Sequence, residues 1–393
     1  MRLALVSPGY PPTPGGVETV VAQTARALVR AGVAVEVLAQ QRRPLRPELS
    51  WDEGVLVRRF RCNRAENYRL APGLYRYLTR HADAFDVVHG HSYHALTGVG
   101  AALALRLRGR TVPYVLTPHY HGTGHTPARA LLHRAFVPAG RAAADAAHAV
   151  LCVSRPEAQL FAADFPTAAG KVTVVPNAVD RTALRAATAF TDQPPTVLSV
   201  GRLERYKRVD RLIEAFARLD SAGGGTDSGT DGGTGDAARG GTSGGAQLVV
   251  IGTGPDRERL QAVAERCGAA RRVRFLGRVG DHELRRWLRT AAVLGSLSEH
   301  EAYGLAPAEA LAAGAWALLS DIPAHADLPA PQAVRLVPAH ASAGAVAQAL
   351  ARCLDAGGRP GPEQIPDWDW VAARLIDVYR AAQAAPSSSG GAR

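Results

Sequence analysis

Two glutamates, Glu301 and Glu309, follow a short apolar run, Ala291 to Leu297, with seven residues between them. The run has the length and composition of a buried parallel strand, and the Ala/Leu-rich segment after Gly304 predicts a helix that ends at Gly314. Glu301 would then lie at the carboxyl end of the strand, with Glu309 about two turns into the helix. Ligands bind at that edge of open α/β sheets, where carboxylates can hold sugar hydroxyls and helix N–H groups can face a phosphate. Two glutamates alone are more typical of a solvated surface.

Arg202 and Lys207 form a second candidate site, in the loop between a predicted strand, Thr196 to Val200, and a predicted helix, Arg211 to Leu219. Two cations before a helix N-terminus suit a diphosphate, which arginine binds as a fork and lysine as a point charge. A solvated basic loop is the alternative in an arginine-rich chain. Lys171 and Lys207 are the only lysines of the sequence, which favours a functional role for Lys207.

Two glycine motifs follow predicted strands. Gly15 and Gly16 precede a predicted helix, Glu18 to Arg30, and would let a phosphate or sugar approach the backbone closely. Gly252-Thr253-Gly254 is followed by Pro255. Neither motif completes the G-x-G-x-x-G fingerprint, so a dinucleotide site is disfavoured, and the second motif fits a loop around a base and ribose equally well.

Six histidines lie between His89 and His125, without a local cysteine and without the spacing of a known metal site. Donors that line a polar cleft are therefore favoured over a zinc site. A metal site would need His91 and His119 to meet, which two loops at strand ends of one sheet could allow. His119 stands out because it follows its predicted strand directly.

The composition describes a globular protein of two or three domains, with 393 residues, 47% apolar and 21% charged. The net charge of +11 favours anionic partners, namely nucleotide phosphates, acidic lipid headgroups or nucleic acid. Because nearly all basic residues are arginines in an Ala- and Gly-rich chain, the charge does not choose among these partners.

The four cysteines, Cys62, Cys152, Cys267 and Cys353, are scattered and predict free thiols in a reducing compartment. The sequence begins with a short strand pattern without a signal-peptide core, and no stretch approaches about 18 uninterrupted apolar residues. These features predict a cytoplasmic protein, and they are compatible with contact between the protein and the inner face of the membrane.

Alternating strand and helix patterns predict doubly wound parallel sheets in two domains. The predicted order is a first Rossmann-like domain over 1–186, a linker over 187–195, a second such domain over 196–365 with a disordered insertion at 221–245, a helix over 366–385 that returns to the first domain, and a disordered tail over 386–393. Asp367 and Asp369 around Trp368 predict an N-cap for the last helix, not a metal site.

Taken together, these motifs resemble the retaining glycosyltransferases of family 4, in the order that the family has them. The resemblance rests on the first glycine loop, Asp86-Val87-Val88-His89-Gly90-His91, the His119 loop, Val175-Pro176-Asn177, Val200-Gly201-Arg202-Leu203 with Lys207, Val250-Ile251-Gly252-Thr253-Gly254, and the glutamate pair. It implies the GT-B fold, in which two Rossmann-like α/β domains face each other across a cleft. The first domain would take the acceptor and the second the nucleotide sugar.

The resemblance also implies roles for individual residues. Its catalytic residues would be His119, Arg202, Lys207 and Glu301. Arg202 and Lys207 would bind the diphosphate, the backbone at Gly304 and Leu305 the phosphates and sugar, Glu301 the sugar hydroxyls, Glu309 the ribose, Gly252 and Val279 the base, and Gly15 and Gly16 the diphosphate and acceptor. The sequence departs from the family at Ala178, Tyr303 and Trp316, and in the segment after Asp321, which lacks the usual glycine pair.

This resemblance predicts a retaining, metal-independent transferase that moves a hexose or N-acetylhexosamine from a UDP- or GDP-sugar to an acceptor hydroxyl. No cofactor and no nucleic acid would be needed, and the acceptor stays open among a small metabolite, a natural-product core and a lipid-linked sugar. The alternatives are a GT-B sugar-nucleotide epimerase, an NAD-linked oxidoreductase, which the incomplete glycine motifs disfavour, and a non-catalytic basic protein that binds nucleotides, nucleic acid or membranes.

Overall fold

The computed structural model describes residues 1–13, 15–42, 48–63, 69–109, 111–122, 127–219, 245–356, 360 and 365–385. These residues form two compact units, one of Met1–Ala178 with the C-terminal segment from Pro366, and one of Val179–Ile365. The second unit therefore starts before residue 186, where the sequence places the end of the first domain. The predicted insertion and the predicted tail lie outside the described residues, except for Gly245.

The sheet of the first unit has the strand order β3-β4-β2-β1-β5-β6-β7-β8 within the described residues. Its strands are β1 Arg2–Ser7, β2 Ala34–Gln41, β3 Leu49–Asp52, β4 Val55–Arg61, β5 Val87–His91, β6 Tyr114–Thr117, β7 Ala149–Cys152 and β8 Val172–Val174. All neighbouring strands run parallel except β3 and β4, which form an antiparallel edge. The central strands β1, β5 and β6 are buried along nearly their whole length because helices cover both faces of the sheet.

The helices that cover this sheet begin with α1 Gly16–Arg30, α2 Pro72–Arg80, α3 Thr97–Leu107, α4 Pro127–Ala146 and α5 Arg155–Asp164. The largest fully buried side chains of this unit are aromatic, and Tyr93, Tyr120, Phe161 and Phe165 form one cluster of ring contacts. This cluster lies under the loop that follows β6. It therefore gives the loop that carries His119 a rigid base.

The second unit has a parallel sheet with the order β11-β10-β9-β12-β13-β14 in the part of the chain described. Its elements are α6 Arg181–Ala186, β9 Thr196–Val200, α7 Val209–Ala217, β10 Gln247–Ile251, α8 Arg257–Arg266, β11 Val273–Gly277, α9 Asp281–Thr290, β12 Val293–Ser296, α10 Leu305–Ala312, β13 Trp316–Ser320, α11 Pro323–Ala326, β14 Val334–Val337 and α12 Ala343–Asp355. The carboxyl ends of β9 and β12 are adjacent at the centre of the sheet. The loops that follow these two strands carry Arg202, Lys207 and Glu301.

The last helix, α13 Trp368–Ala384, belongs to the first unit. Arg30 of α1 pairs with Asp369 at 2.6 Å, and Tyr379 contacts a histidine of β5. The Oδ1 atom of Asp367 accepts the N–H of Trp370 at 2.9 Å, so the predicted N-cap is confirmed.

Candidate active site

A partly buried ion pair lies at the carboxyl edge of the second sheet. The Nζ atom of Lys207 is 2.5 Å from Oε1 of Glu301, and these side chains are 19% and 17% exposed. Ser298 donates its hydroxyl to the same carboxylate oxygen at 2.8 Å. The carbonyl of Ser298 in turn accepts the hydroxyl of Ser320 at 2.5 Å. Hydrogen bonds therefore connect the loops that follow β9 and β12 with the last residue of β13.

The ion pair keeps both of its members charged. Burial by itself favours the neutral forms, but the charge and hydrogen bond of Lys207 hold the pKa of Glu301 below its usual value. Burial by itself lowers the pKa of Lys207, but the charge and hydrogen bond of Glu301 outweigh this effect and raise the pKa above its usual value. At neutral pH the site therefore presents a fixed ammonium group beside a fixed carboxylate.

Arg202 lies in the same loop as Lys207 but on its outer side. Its guanidinium pairs with Glu204 at 2.6 Å and donates to the hydroxyl of Tyr206 at 3.3 Å, with 59% of the side chain exposed. The structure thus brings Arg202 and Lys207 to one loop, as predicted, and gives them different surroundings.

The glycines of the second unit hold this loop by close backbone packing. Gly252 has a φ of 138°, and a β-carbon there would overlap the carbonyl oxygen of Gly201. The N–H of Leu203 donates to the carbonyl of Thr253 at 3.0 Å, which joins the loops after β9 and β10. The structure therefore gives Gly252 a packing role, since it positions the loop of Arg202. Val279 follows β11 at the same edge of the sheet.

The N-terminus of α10 is open. Gly304 is its N-cap residue with a φ of 96°, and a glycine has no side chain that could cap the helix. The N–H groups of Leu305 and Ala306 consequently have no partner within the helix, and Pro307 has no N–H group. Gly314, with a φ of 84°, ends the helical segment as predicted, and its N–H donates to the carbonyl of Leu311.

Glu309 has surroundings different from those of Glu301. Its charged neighbours are Arg285 and Asp281 of α9 and Asp180. Burial raises the pKa of Glu309 to about 7, and the charge of Arg285 opposes part of this change. The carboxylate of Glu309 therefore binds a proton more readily than that of Glu301.

One residue near this edge is missing from the sequence-based set. His325 of α11 is 1% exposed, and its Nδ1 atom is 2.9 Å from the carbonyl oxygen of Ser320. It lies in the segment after Asp321, where the sequence departs from the family, and that departure is the only signal that could have indicated it.

The first unit contains a chain of three histidines, of which His89 and His91 are buried and His119 is partly buried. His89 contacts the Tyr379 hydroxyl through Nδ1 and the Thr117 hydroxyl through Nε2, at 2.8 Å each. The Nδ1 atom of His91 is 3.3 Å from Nε2 of His119, so the structure brings these two histidines together. Burial lowers the pKa of His89 to about 3 and that of His119 to about 4, which keeps both rings neutral.

The backbone at His119 has a positive φ of 47°, an unfavourable conformation for a residue with a β-carbon. Glu157 stabilises this turn, because its carboxylate accepts the N–H of Tyr120 at 2.5 Å and that of Val153 at 2.6 Å. Ser154 caps α5 by accepting the N–H of Glu157 at 3.2 Å.

The glycine loop of the first unit is occupied by a carboxylate. Gly15 precedes α1, which begins at Gly16, and the carboxylate of the buried Glu18 lies directly against Gly15. A β-carbon on Gly15 would overlap this group. The protein itself therefore places a negative charge at the N-terminus of α1, where the sequence predicts an approaching phosphate.

Three further observations concern the whole chain. Within the described ranges, no three His, Cys, Asp or Glu side chains are grouped so that they could hold a metal ion. No helix of that part of the chain is long and apolar enough to cross a membrane. The cysteines Cys62, Cys152, Cys267 and Cys353 are free thiols.

Family models match nearly the whole chain. The model of Glycosyltransferase Family 4 matches residues 14–183, and that of Glycosyl transferases group 1 matches residues 180–361. The chain therefore belongs to the family 4 glycosyltransferases, as the resemblance predicted, and it is an enzyme that transfers sugar from a nucleotide sugar.

Individual relatives and structures agree with this family. The chain is 27% identical to a GDP-mannose:cellobiosyl-diphosphopolyprenol alpha-mannosyltransferase of Komagataeibacter xylinus, over 80% of this chain and 74% of the relative. It is 27% identical to a D-inositol 3-phosphate glycosyltransferase of Jonesia denitrificans, over 96% and 93%. The sucrose-phosphate synthase of Thermosynechococcus elongatus has the same fold, with a TM-score of 0.73, 20% identity and coverage of 97% and 98%. The predicted GT-B fold class, with its doubly wound parallel-sheet domains, is confirmed.

Proposed function

We propose that the enzyme transfers a hexose or N-acetylhexosamine from UDP or GDP with retention of configuration and without a divalent metal ion or other cofactor. The observation that carries this proposal is the partly buried Lys207–Glu301 pair beside the uncapped N-terminus of α10. A partly buried cation and free helix N–H groups form a preorganised site for a leaving diphosphate.

The diphosphate would be bound by groups that already carry positive charge. Glu301 takes one of the three N–H donors of Lys207 and leaves the others for phosphate oxygens. Leu305 and Ala306 would add backbone N–H groups from the start of α10, and Arg202 would close the outer side with its exposed guanidinium. These groups would stabilise the negative charge that develops as the sugar–phosphate bond breaks.

The sugar would be bound by carboxylate and imidazole groups. Both hydrogen bonds of Glu301 described above use Oε1, which leaves Oε2 for a sugar hydroxyl. Glu309 would hold the ribose, and the loops of Gly252 and Val279 the base. The neutral His119 would offer the donor sugar a hydrogen bond without adding charge, and the glycine loop of Gly15 and Gly16 would bind the acceptor.

Retention of configuration would result from attack on the face that the diphosphate leaves. The leaving phosphate oxygen would accept the proton of the acceptor hydroxyl as the new glycosidic bond forms. No protein nucleophile is required in this scheme.

The nature of the donor and the acceptor follows from charge and from the relatives. The name of the Komagataeibacter relative specifies GDP-mannose, which supports a nucleotide-sugar donor here. Both relatives' names specify phosphate-bearing acceptors, and the net charge of +11 suits such a substrate or contact with an anionic membrane surface.

The proposal is tested with a set of UDP- and GDP-sugars, by measuring the slow release of free UDP or GDP and then transfer to candidate acceptors. NMR of the glycoside formed gives its anomeric configuration. We expect one nucleotide to be preferred and the donor configuration to be kept. An inverted product would refute retention, and release of neither nucleotide would refute the proposed donor class.

A further inference from the structure

His325 lies in the segment where the chain departs from its family. The segment after β13 reads Asp321-Ile322-Pro323-Ala324-His325, and the imidazole is buried with 1% exposure. Buried histidines require partners for both ring nitrogens. The partners of the two nitrogens therefore show what this residue can bind.

The first ring nitrogen fixes the tautomer. The Nδ1 atom is 2.9 Å from the backbone carbonyl oxygen of Ser320, and a carbonyl oxygen can only accept. Nδ1 therefore carries a proton. The hydroxyl of Ser320 is 3.3 Å from the same nitrogen, and its own proton is donated to the carbonyl of Ser298. In the neutral ring, Nε2 is consequently a hydrogen-bond acceptor.

The second ring nitrogen has no hydrogen-bond partner within the described residues, although it is buried. It faces the start of α10, because a β-carbon on Gly304 would lie 3.4 Å from Cδ2 and 3.8 Å from Nε2 of His325. The charged groups nearby are Glu301, which favours protonation of the ring, and Lys207, which opposes it. Burial is the largest effect and holds the pKa of His325 below its usual value, so the ring is neutral at pH 7.

We infer that Nε2 of His325 accepts a hydrogen bond from a hydroxyl group of the donor sugar, which makes His325 a specificity-determining residue. The partner must be a donor, and phosphate oxygens at neutral pH offer few protons, whereas each sugar hydroxyl offers one. A site that leaves a buried acceptor unpaired discriminates strongly against a substrate that lacks the matching hydroxyl. This inference rests on the proposed function of the same unit.

The inference also explains how the site would recognise a particular sugar. Glu301 and His325 would supply two acceptors that Ser298 and Ser320 hold in place, since their hydrogen bonds connect both groups. Two fixed acceptors require two hydroxyl groups at matching positions. The preferred donor would therefore be a hexose whose ring hydroxyls are free near the anomeric phosphate.

The experiment compares binding of the nucleoside diphosphate with binding of its sugar nucleotide by calorimetry, in the full-length wild type and in variants. We expect His325→Ala to weaken binding of the sugar nucleotide about tenfold and that of the nucleoside diphosphate less than about twofold. His325→Gln should recover part of the loss, because its Oε1 can reach the place of Nε2. The exposed His340 provides the control, and His340→Ala should behave as the wild type.

A second series uses wild-type protein and donors that each lack one hydroxyl group. One deoxy sugar should bind about tenfold more weakly to the wild type, and His325→Ala should no longer distinguish it from the parent donor. Equal losses for nucleoside diphosphate and sugar nucleotide, or a wild type indifferent to every deoxy donor, would overturn the inference. If the wild type binds no sugar nucleotide at all, the proposed function itself is refuted.

Discussion

Lys207 and Glu301 show how a site of this kind depends on one pair of side chains. Both are mostly buried, and each keeps its charge because the other is present. Removing one partner leaves the other as an uncompensated charge away from water, which usually destabilises a protein by about 3–5 kcal/mol.

The first prediction concerns Glu301→Gln. We expect the free energy of unfolding to fall by about 3 kcal/mol and kcat/KM to fall by about 10²-fold, since Lys207 loses its partner and the sugar one acceptor. Urea unfolding and initial rates measure the two effects. The matched control is Glu299→Gln, because Glu299 pairs with Arg208 at 2.9 Å but is 51% exposed. Its effect on stability should stay within about 0.5 kcal/mol.

The same variant has a defined pH dependence. The pKa of Glu301 is lower in the folded than in the unfolded protein, so its contribution is fully present above the unfolded value of about 4.3. It is lost as the pH falls through the folded value. The difference in unfolding free energy between wild type and Glu301→Gln should therefore shrink below about pH 4. If the difference in unfolding free energy stayed constant from neutral pH down to the pH at which the wild type unfolds, Glu301 would not be ionised as assigned.

Tyr303 gives the second prediction. Its hydroxyl is buried and without a hydrogen-bond partner in the described part of the chain. Tyr303→Phe should raise the free energy of unfolding by about 1 kcal/mol, because it removes an unpaired buried polar group. Urea unfolding measures this change, and the rate of sugar transfer should be unaltered. A less stable variant would show that the hydroxyl has a partner in solution.

At the scale of elements, the two glycine-containing loops determine where the cations lie. The loop after β10 supports the loop after β9 through backbone contacts of Gly252 and Gly254 with Gly201 and Leu203. A side chain on Gly252 cannot fit, and its φ of 138° disfavours any residue with a β-carbon.

The third prediction follows from this contact. Gly252→Ala should destabilise the protein by about 2 kcal/mol or more and weaken binding of the nucleoside diphosphate, because the loop with Arg202 and Lys207 must move. Thermal unfolding and calorimetry measure these effects. Gly280→Ala is the control, since no atom lies within 4 Å of a β-carbon at that position. Equal effects of the two substitutions would contradict the packing role.

Much of the second unit could be predicted from the sequence. Strand β9 has the predicted bounds, because a clear apolar pattern lies between a proline pair and a glycine. Helix α7 begins and ends two residues before the predicted bounds. In the first unit β5 extends to His91, which makes this histidine a strand residue instead of a loop residue. The edge strands β3 and β4 and helices α2 and α4 were not predicted.

The missed features share a physical cause. Strand β4 alternates buried and half-exposed residues and contains Arg58, Arg59 and Arg61, so its apolar pattern is weak. His325 depends on a carbonyl of β13 and on the start of α10, which lie near it only in the folded chain. The Glu18 carboxylate likewise folds back on Gly15, a contact that the glycine pattern could not indicate.

At the scale of the whole molecule, the candidate groups are divided between the two units. His119 belongs to the first unit, and Lys207, Glu301 and His325 belong to the second. The proposal therefore assigns binding of the nucleotide to one unit and assigns to the other a residue that acts on the sugar.

The fourth prediction tests this division. His119→Ala should lower kcat for sugar transfer by about 10²-fold and leave the Kd of the nucleoside diphosphate within about twofold of wild type. Steady-state kinetics and calorimetry give the two values. A large loss of nucleoside diphosphate affinity would contradict the assignment, provided that circular dichroism shows an intact fold.

The central claim is that fixed cations and helix N–H groups, and not a divalent metal, stabilise the leaving diphosphate. The most direct measurement is the initial rate of nucleoside diphosphate release from the preferred donor in excess EDTA, for the wild type and for Lys207→Ala. The account predicts an undiminished rate for the wild type and a loss of about 10²–10³-fold for Lys207→Ala. A wild-type rate that vanishes in EDTA and returns with Mg²⁺ or Mn²⁺, or an unimpaired Lys207→Ala enzyme, would contradict it.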